Sequence, residues 1–380
     1  MPLSSHVSLT TLKSKCPPPR SPTLCVLTLC SNKRSPDYFF SFTENSYEIS
    51  VAANVSIIDQ GFLPFLTSCP DMGISPDIFR VLQVDDAGGQ GASGKRISDL
   101  SEPLAQHKFS IFYMSTYQTD FVLVKERRMR QAVQVLLDHG FEFDQDSLDM
   151  YHHNMQQLQI IQQSNASAES LASAADSTTS SMHAATTTGT DNNNNESDIE
   201  SNVLDNELRC AGLNPHYRSS WSTTMLKVMS FPELLSSSSA NDDGGDYGDD
   251  DDDDDDNQEK QQQQRFFSYT ATSDGISLLA DKHILDLFEE EALFQDEDTV
   301  PLRVIQVNLA GTNLDRCGIV RSISHPLATE AHINLLYLST FKSANIIVSA
   351  DDIERAEEIL QPDLEKMRDL LNDVVLEPLQ

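Results

Sequence analysis

The chain carries the same text twice. Phe39-Phe40-Ser41-Phe42-Thr43 returns as Phe266-Phe267-Ser268-Tyr269-Thr270, followed at equal spacing by Ser46 or Ser273 and by Ile49-Ser50 or Ile276-Ser277. Arg80-Val81-Leu82-Gln83-Val84 returns as Arg303-Val304-Ile305-Gln306-Val307. Ser115-Thr116-Tyr117 before Phe121-Val122-Leu123-Val124 returns as Ser339-Thr340-Phe341 before Asn345-Ile346-Ile347-Val348. The offsets are 227, 223 and 224, so the copies keep one order and nearly one internal spacing. A period this long marks duplicated domains rather than a solenoid. Duplication also points to where a ligand would sit, because it brings equivalent edges and loops together.

With 380 residues the chain has room for roughly two to four small domains, each with its own core. Its net charge of -33 is unevenly placed. Residues 241–264 hold eleven Asp, Glu259 and one Lys, a net of -11, and residues 144–205 hold ten acids and no Lys or Arg. The remainder carries -12, an ordinary acidic surface. Such a field repels phosphate backbones and anionic lipid, which argues against nucleic acid and membrane as partners. Six cysteines without a C-x-x-C pair or regular spacing imply reduced thiols and a cytoplasmic setting. No apolar run approaches the length of a membrane span. The short run Leu24–Leu29 faintly resembles a secretory signal, but the prolines at 17–19 and the missing small-residue cleavage site argue against one.

The pattern predicts an α+β chain. Residues 1–24 read as a disordered leader and 25–75 as a partial first domain, with β-segments at Tyr38–Thr43 and Tyr47–Ala52. Residues 76–143 give the clearest unit. Phe79–Val84 is a strand, and Ile97, Leu100 and Leu104 recur at helical spacing. Phe109–Met114 and Phe121–Val124 are strands. A second helix over Met129–Leu137 ends at Gly140, and Phe141–Phe143 begins a last strand. That order, βαββαβ, is a ferredoxin-like sandwich. Residues 144–205 read as a disordered linker, and 206–299 as a third domain with a disordered acidic insert at 236–264. Residues 300–370 repeat the clear unit, although Asp363–Asn372 looks helical where a last strand is due.

Enzyme signatures are missing: there is no P-loop, G-x-S-x-G, H-E-x-x-H or kinase set. No histidine or cysteine spacing suits a metal, no cofactor is implied, and Gly88-Gly89-Gln90-Gly91 lacks the Lys-Ser/Thr ending of a phosphate cradle. The run Asp249–Asp256 lacks the spaced ligands and turn glycine of a calcium loop. What remains is the loop before the first helix of each clear unit, where Gly94 and Cys317-Gly318 stand. Exposed N–H groups at a helix start attract a carboxylate, and glycine lets a ligand approach the backbone. A plain tight turn would use the same residues.

A βαββαβ unit with a ligand loop before its first helix resembles the ACT domain, a small-molecule sensing module. Pro103-Leu104-Ala105 leading to Ser115-Thr116-Tyr117-Gln118-Thr119-Asp120-Phe121 is similar to the second ACT domain of the CASTOR family of cytosolic arginine sensors. Cys317-Gly318-Ile319-Val320, Pro326-Leu327-Ala328 and Ser339-Thr340-Phe341 resemble its fourth, and Phe39-Phe40-Ser41 with Thr43-Glu44 the end of its first. The resemblance implies four tandem ACT domains in two duplicated halves, the first apparently incomplete. It implies dimerisation through the first and third, an amino-acid pocket between the second and fourth, and binding to the GATOR complex that controls the TOR kinase. It places His107, Phe109, Ser110 and Ile111 on one wall of the pocket, and Asn313, Arg316, Cys317, Gly318, Ile319, Thr340 and Phe341 on the other. Ser110 would hold an end of the ligand's backbone.

The chain departs from that pattern. The family has an acid where Arg316 stands, an Asp where Ala344 falls, a glycine at Asn313 and a valine at Phe109. A ligand guanidinium buried beside Arg316 without those acids leaves a charge unpaired, at a cost of several kcal/mol. Arginine is therefore disfavoured, and the pocket suits a neutral or acidic amino acid, or none. The readings are an amino-acid-responsive regulator, a ligand-free adaptor, and, more weakly, a regulatory subunit for an aspartate-pathway kinase.

Overall fold

The computed structural model describes residues 3–13, 37–84, 93–117, 119–145, 148–149, 199–230, 265–295, 300–309 and 316–374, with 3–13 and 367–374 as backbone alone. Gly88–Gly91, His152-His153, Asn313, the polyaspartate run and most of 144–205 lie outside the described residues.

The first half runs β1 (Leu3–Lys13), β2 (Phe39–Glu44), β3 (Glu48–Asn54), α1 (Val55–Gly61), β4 (Met72–Val84), α2 (Ser93–Gln106), β5 (Ile111–Ser115), β6 (Asp120–Lys125) and α3 (Met129–Asp138). The second half runs β7 (Glu200–Val203), β8 (Leu208–Leu213), α4 (Arg218–Ser230), β9 (Phe267–Thr272), β10 (Ile276–Asp281), β11 (Leu293–Phe294), β12 (Leu302–Asn308), α5 (Ile319–His325), β13 (Leu335–Ser339), β14 (Ser343–Ser349) and α6 (Ile353–Val374). A π-helical turn at Pro326–Glu330 continues α5.

The strands lie in the order β11-β8-β10-β9-β2-β3-β1-β4-β6-β5-β13-β14-β12-β7, and Leu302 also pairs with Leu208 of β8, which closes the series on itself. Four units can be read from this order: β4-β1-β3-β2, β1-β4-β6-β5, β11-β8-β10-β9 and β7-β12-β14-β13. Neighbouring units share strands. The long β4 ends the first unit at Met72–Ile74 and opens the second at Phe79–Val84, while β1 pairs with both stretches across a register shift between Ser8 and Thr10.

This sharing corrects three expectations. The leader is not wholly disordered: Leu3–Lys13 is a strand between β3 and β4, favoured by β-branched Val7, Thr10 and Thr11 ahead of the prolines. It supplies the opening strand that the first domain seemed to lack. Phe141–Phe143 forms no strand, because the edge of β4 that it would pair with is already taken by β1; Phe143 packs into the core instead. The end of the linker is also ordered, since β7 pairs antiparallel with β12 from Glu200↔Asn308 to Val203↔Ile305. It fills the place of the missing last strand, and α6 runs on as helix through Pro362.

Period-two alternation sorts the strand residues into separate cores. Phe39, Phe79, Val81, Phe112, Phe121, Leu123, Val304 and Ile347 enter an apolar layer drawn from all four units. Edge-to-face ring pairs stitch it, with centroids 5.3 Å apart for Phe39–Phe121 and 5.5 Å for Phe79–Phe112. Their neighbours Leu82, Tyr113, Val122, Ile305 and Ile346 face α2, α3, α5 and α6. Phe40, Val51, Phe267 and Tyr269 face α1 and α4, around the fully buried Trp221.

The repeated strings are partners in space as well as copies. β2 and β9 pair antiparallel, from Phe39↔Thr272 to Glu44↔Phe267. Across this seam Ser41 Oγ meets Thr270 Oγ1 at 2.9 Å and Thr43 Oγ1 meets Ser268 Oγ at 2.9 Å. The second and fourth units meet in the same reciprocal way at β5 and β13. The Tyr113 N–H donates to Ser339 Oγ at 3.0 Å, and the Tyr337 N–H donates to Ser115 Oγ at 3.1 Å. Each half thus repeats the other about a pseudo-twofold axis. Both serines are buried, so Ser115→Ala or Ser339→Ala leaves a tyrosine amide unsatisfied. Each should cost about 1–3 kcal/mol in denaturant-melt stability, with similar losses for the two variants because their environments match.

Candidate functional site

The seam between the second and fourth units presents two related corners, one for each helix start. In both, a glycine from one unit faces an alanine on the helix of the other. A Cβ on Gly318 would stand 4.0 Å from Ala105 Cβ, and a Cβ on Gly94 would stand 3.2 Å from Ala328 Cβ. Around this crossing the Ser98 hydroxyl reaches His325 Nδ1 at 3.2 Å and Thr329 Oγ1 at 3.3 Å, and Arg321 Nε donates to Glu102.

At the Gly94 corner the chain fills its own space. Asn334 Oδ1 accepts from the Gly94 N–H at 3.1 Å and from the Ser93 hydroxyl at 3.0 Å. The same hydroxyl lies 2.6 Å from the Leu335 carbonyl. A carboxamide oxygen therefore already occupies the helix start. The Gly318 corner differs, because Ser110 stands where the duplication puts Asn334. Here a hollow of ≈ 200 Å³, counted with its open mouth, is lined by Ser101, Ala105, Phe109, Ile111, Arg316 and residues 318–321. Gly318 holds a left-handed φ of 85°, which permits the turn into α5.

The sequence-expected residues divide between this hollow and other places. Phe109, Ile111, Arg316, Gly318 and Ile319 line it. Phe109 is buried, and the Arg128 guanidinium carbon lies 4.1 Å from its ring centroid. Ser110 is half-buried and is not among the lining residues. His107 is exposed, with Nδ1 2.9 Å from the Pro103 carbonyl and its ring edge toward His139. Cys317 is exposed and Asn313 lies outside the described residues. Thr340 and Phe341 belong to a different junction. Thr340 Oγ1 lies 3.1 Å from the Ser343 carbonyl, and the Phe341 N–H donates to Ser50 Oγ at 3.2 Å, holding the fourth unit to the first. Ala344 is fully buried in β14.

The residues that sequence reading missed are Arg321 and its partner Glu102. The Arg321 hydrogen bond is the main reason the Glu102 carboxyl sits below its ordinary pKa. Among the described residues two guanidinium groups line the hollow, and that of Arg321 is paired with Glu102. Arg316 donates Nη1 to the Leu309 carbonyl, and burial lowers its pKa. Helical spacing could have flagged Arg321, three residues past Gly318 at the start of the same helix.

A buried ion pair lies close by. Arg96 of α2 meets Asp120 Oδ2 at 2.6 Å, and the Tyr113 hydroxyl donates to the same carboxylate at 3.0 Å. In the other half the corresponding strand residue is Ala344, and the matching helix turn carries Ile319 and Val320. Among the described residues no group of three or more His, Cys, Asp or Glu could hold a metal, and no helix is long and apolar enough to cross a membrane.

Comparison with known proteins agrees with this architecture. The ACT domain family model matches residues 74–138 and 300–362, the second and fourth units. A model of the parvovirus non-structural protein NS1 matches 123–231, a span that starts inside β6 and ends just past α4 and so follows no unit. The cytosolic arginine sensor for mTORC1 subunit 1 of Bos taurus is 22% identical over 333 residues, 87% of each chain. Its Mus musculus counterpart is 23% identical over 331 residues, 86% of each. An aspartate kinase structure from Synechocystis aligns over 96% of this chain at 8% identity with a TM-score of 0.31; the chain spans 55% of that kinase chain. With the ACT domain model matched once in each half of a duplicated sheet, the second and fourth units are similar to ACT domains, and the chain is similar over most of its length to the cytosolic arginine sensors.

Proposed function

We propose that this chain is a non-catalytic, amino-acid-responsive regulator of the cytoplasm, whose second and fourth ACT units close on a free amino acid at the Gly318 corner. The contrast between the two corners supports this reading best. At one, the chain's own Asn334 oxygen satisfies the glycine N–H; at the other, the equivalent position carries the shorter Ser110 and a hollow remains. A ligand carboxylate is the chemical counterpart of that Asn334 oxygen. Closing the seam would also draw α2 and α5 together through Glu102–Arg321, a route by which occupancy reaches the outer surface. The likeness to the arginine sensors supports a GATOR-type regulatory complex as the partner, and a homodimer through the first and third units is part of the same proposal.

A thermal-shift screen of the full chain against the twenty amino acids tests the reading. A ligand at one hundred times its dissociation constant should stabilise the fold by about 2.7 kcal/mol. Flat melting curves throughout would instead favour a second reading, an adaptor that keeps the fold and binds no amino acid. Specific observations favour that alternative: the cavity within the hollow is about 10 Å³, room for no more than a water molecule and far below the roughly 300–1,000 Å³ of most small-molecule sites, and Phe109 fills part of it.

A further inference from the structure

We propose that the π-helical turn at Pro326–Glu330 is a one-residue insertion that locks the Gly94 corner, leaving the Gly318 corner as the end of the seam free to move. Counting along the two copies shows the insertion. Pro103-Leu104-Ala105 and Pro326-Leu327-Ala328 lie 223 residues apart, whereas Tyr113 and Tyr337, which make matching bonds across the seam, lie 224 apart. One more residue therefore separates helix from strand in the fourth unit. The bonds that end the helices show where it sits. In α2 the His107 N–H donates to the Pro103 carbonyl at 3.2 Å and the Phe109 N–H to the Leu104 carbonyl at 2.9 Å. In the copy the Ala331 N–H donates to the Pro326 carbonyl at 3.0 Å and the Ile333 N–H to the Leu327 carbonyl at 2.8 Å. Each span is longer by one residue. Both connections then end alike, at Lys108 and His332 with φ of 56°, so the extra residue is absorbed within 329–331.

A π turn is rare, and the bond pattern it replaces is the one helices prefer, so it persists where neighbouring contacts hold it. Those contacts gather at the Gly94 corner. Thr329 Oγ1 reaches Ser98 Oγ on α2 at 3.3 Å, and Glu330 Oε1 lies 3.9 Å from His325 Nε2. Arg355 of α6 donates Nη2 to the Ala331 carbonyl at 2.6 Å and pins the end of the turn. Just beyond it, Asn334 Oδ1 accepts from the Gly94 N–H and the Leu335 carbonyl accepts from the Ser93 hydroxyl. A π turn has more residues per turn and a wider backbone than an α turn, which carries its side chains outward. The spacing agrees: Ala328, inside the π turn, comes within 3.2 Å of a Cβ on Gly94, while Ala105, in the ordinary helix, stays 4.0 Å from one on Gly318. One end of the seam is thus bolted and the other is looser, which makes the Gly94 corner a hinge for motion between the two units. The hinge holds whether or not the seam takes an amino acid.

Amide hydrogen exchange on the full chain, corrected for intrinsic rates, tests this. In the natural chain the Gly94 amide should exchange about ten-fold or more slowly than the Gly318 amide. Deleting Glu330 should turn the π turn into an α turn, and the chain should still fold, because α2 carries no such residue. The Gly94 amide should then exchange about ten-fold faster. Should the deletion fail to fold, an alanine inserted after Gln106 makes the reciprocal change: it gives α2 the extra residue and should slow exchange at Gly318. Equal rates at the two glycines of the natural chain would overturn the hinge. So would a Gly94 rate unchanged by the deletion, or a Gly318 rate unchanged by the insertion. These measurements use no ligand, so the sensor reading stands or falls separately in the thermal-shift screen.

Discussion

Asp120→Ala should destabilise the second unit by about 3 kcal/mol, read as a lower urea midpoint. The substitution removes the carboxylate that Arg96 and Tyr113 both use, 2.6 Å and 3.0 Å away, inside a core where Asp120 is 1% exposed. Breaking a buried pair by deleting one partner typically costs about 3–5 kcal/mol, because the remaining charge keeps its desolvation penalty. Arg96 is 20% exposed, so water recovers some of that loss and the lower end applies. The double variant Arg96→Val/Asp120→Ala should regain most of the stability, because it installs the apolar pairing that Val320 and Ala344 already provide in the other half. If the double variant were as unstable as the single one, the pair would be needed for more than its own charge balance.

The pair also sets a pH dependence. Burial raises the Asp120 carboxyl above its ordinary pKa, with Arg96 working in the other direction. A carboxyl that holds its proton more tightly folded than unfolded favours the folded state while both forms remain protonated. That advantage declines as pH rises from the unfolded value through the folded one. Asp120→Asn should remove this decline in urea midpoints measured across the acidic range.

Gly94→Val is the second large effect. A Cβ at this position would already lie 3.0 Å from Leu335 Cδ2 and 3.2 Å from both Ala328 Cβ and the Ile333 carbonyl oxygen. The Leu335 methyl can move, but the carbonyl is backbone of the segment leading into β13, held by the Ile333 N–H bond to the Leu327 carbonyl, and the added methyls lie closer still. Overpacking of this kind costs about 1–3 kcal/mol. It should also prise the Asn334 oxygen from the Gly94 N–H, so exchange of that amide should rise along with the drop in melting temperature. Gly318→Ala makes the informative comparison. Its neighbour Ala105 is 4.0 Å away, so its cost of about 1–2 kcal/mol comes from the left-handed backbone rather than from crowding.

The duplication, the α+β alternation and both complete units could be read directly, because strands and helices announce themselves by periods of two and 3.6. The glycine before α5 was legible as a ligand-loop candidate for the same local reason. Pairing across long distances was not. Nothing in Phe39–Thr43 says that its partner is its own copy, and nothing in Ser115-Thr116-Tyr117 says whether its hydroxyls hold a ligand or a neighbouring strand. The structure gives the Ser115 hydroxyl to the neighbouring strand and the Thr116 hydroxyl to its own turn, at the Thr119 carbonyl. The leader misled because its β-branched run is short and followed by prolines, and only the vacant edge of β4 makes it a strand.

By itself, then, the amino-acid sequence determined that two equivalent halves exist, where most strands and helices of the two clear units lie, and that a Cys-Gly start leads into α5. Those are local properties of side-chain size, branching and spacing. The tertiary structure alone decided which copies touch, that Asn334 stops one corner while the other stays hollow, and that Arg316 and Arg321 come to line it. Such outcomes depend on how residues hundreds of positions apart share space, charge and hydrogen bonds.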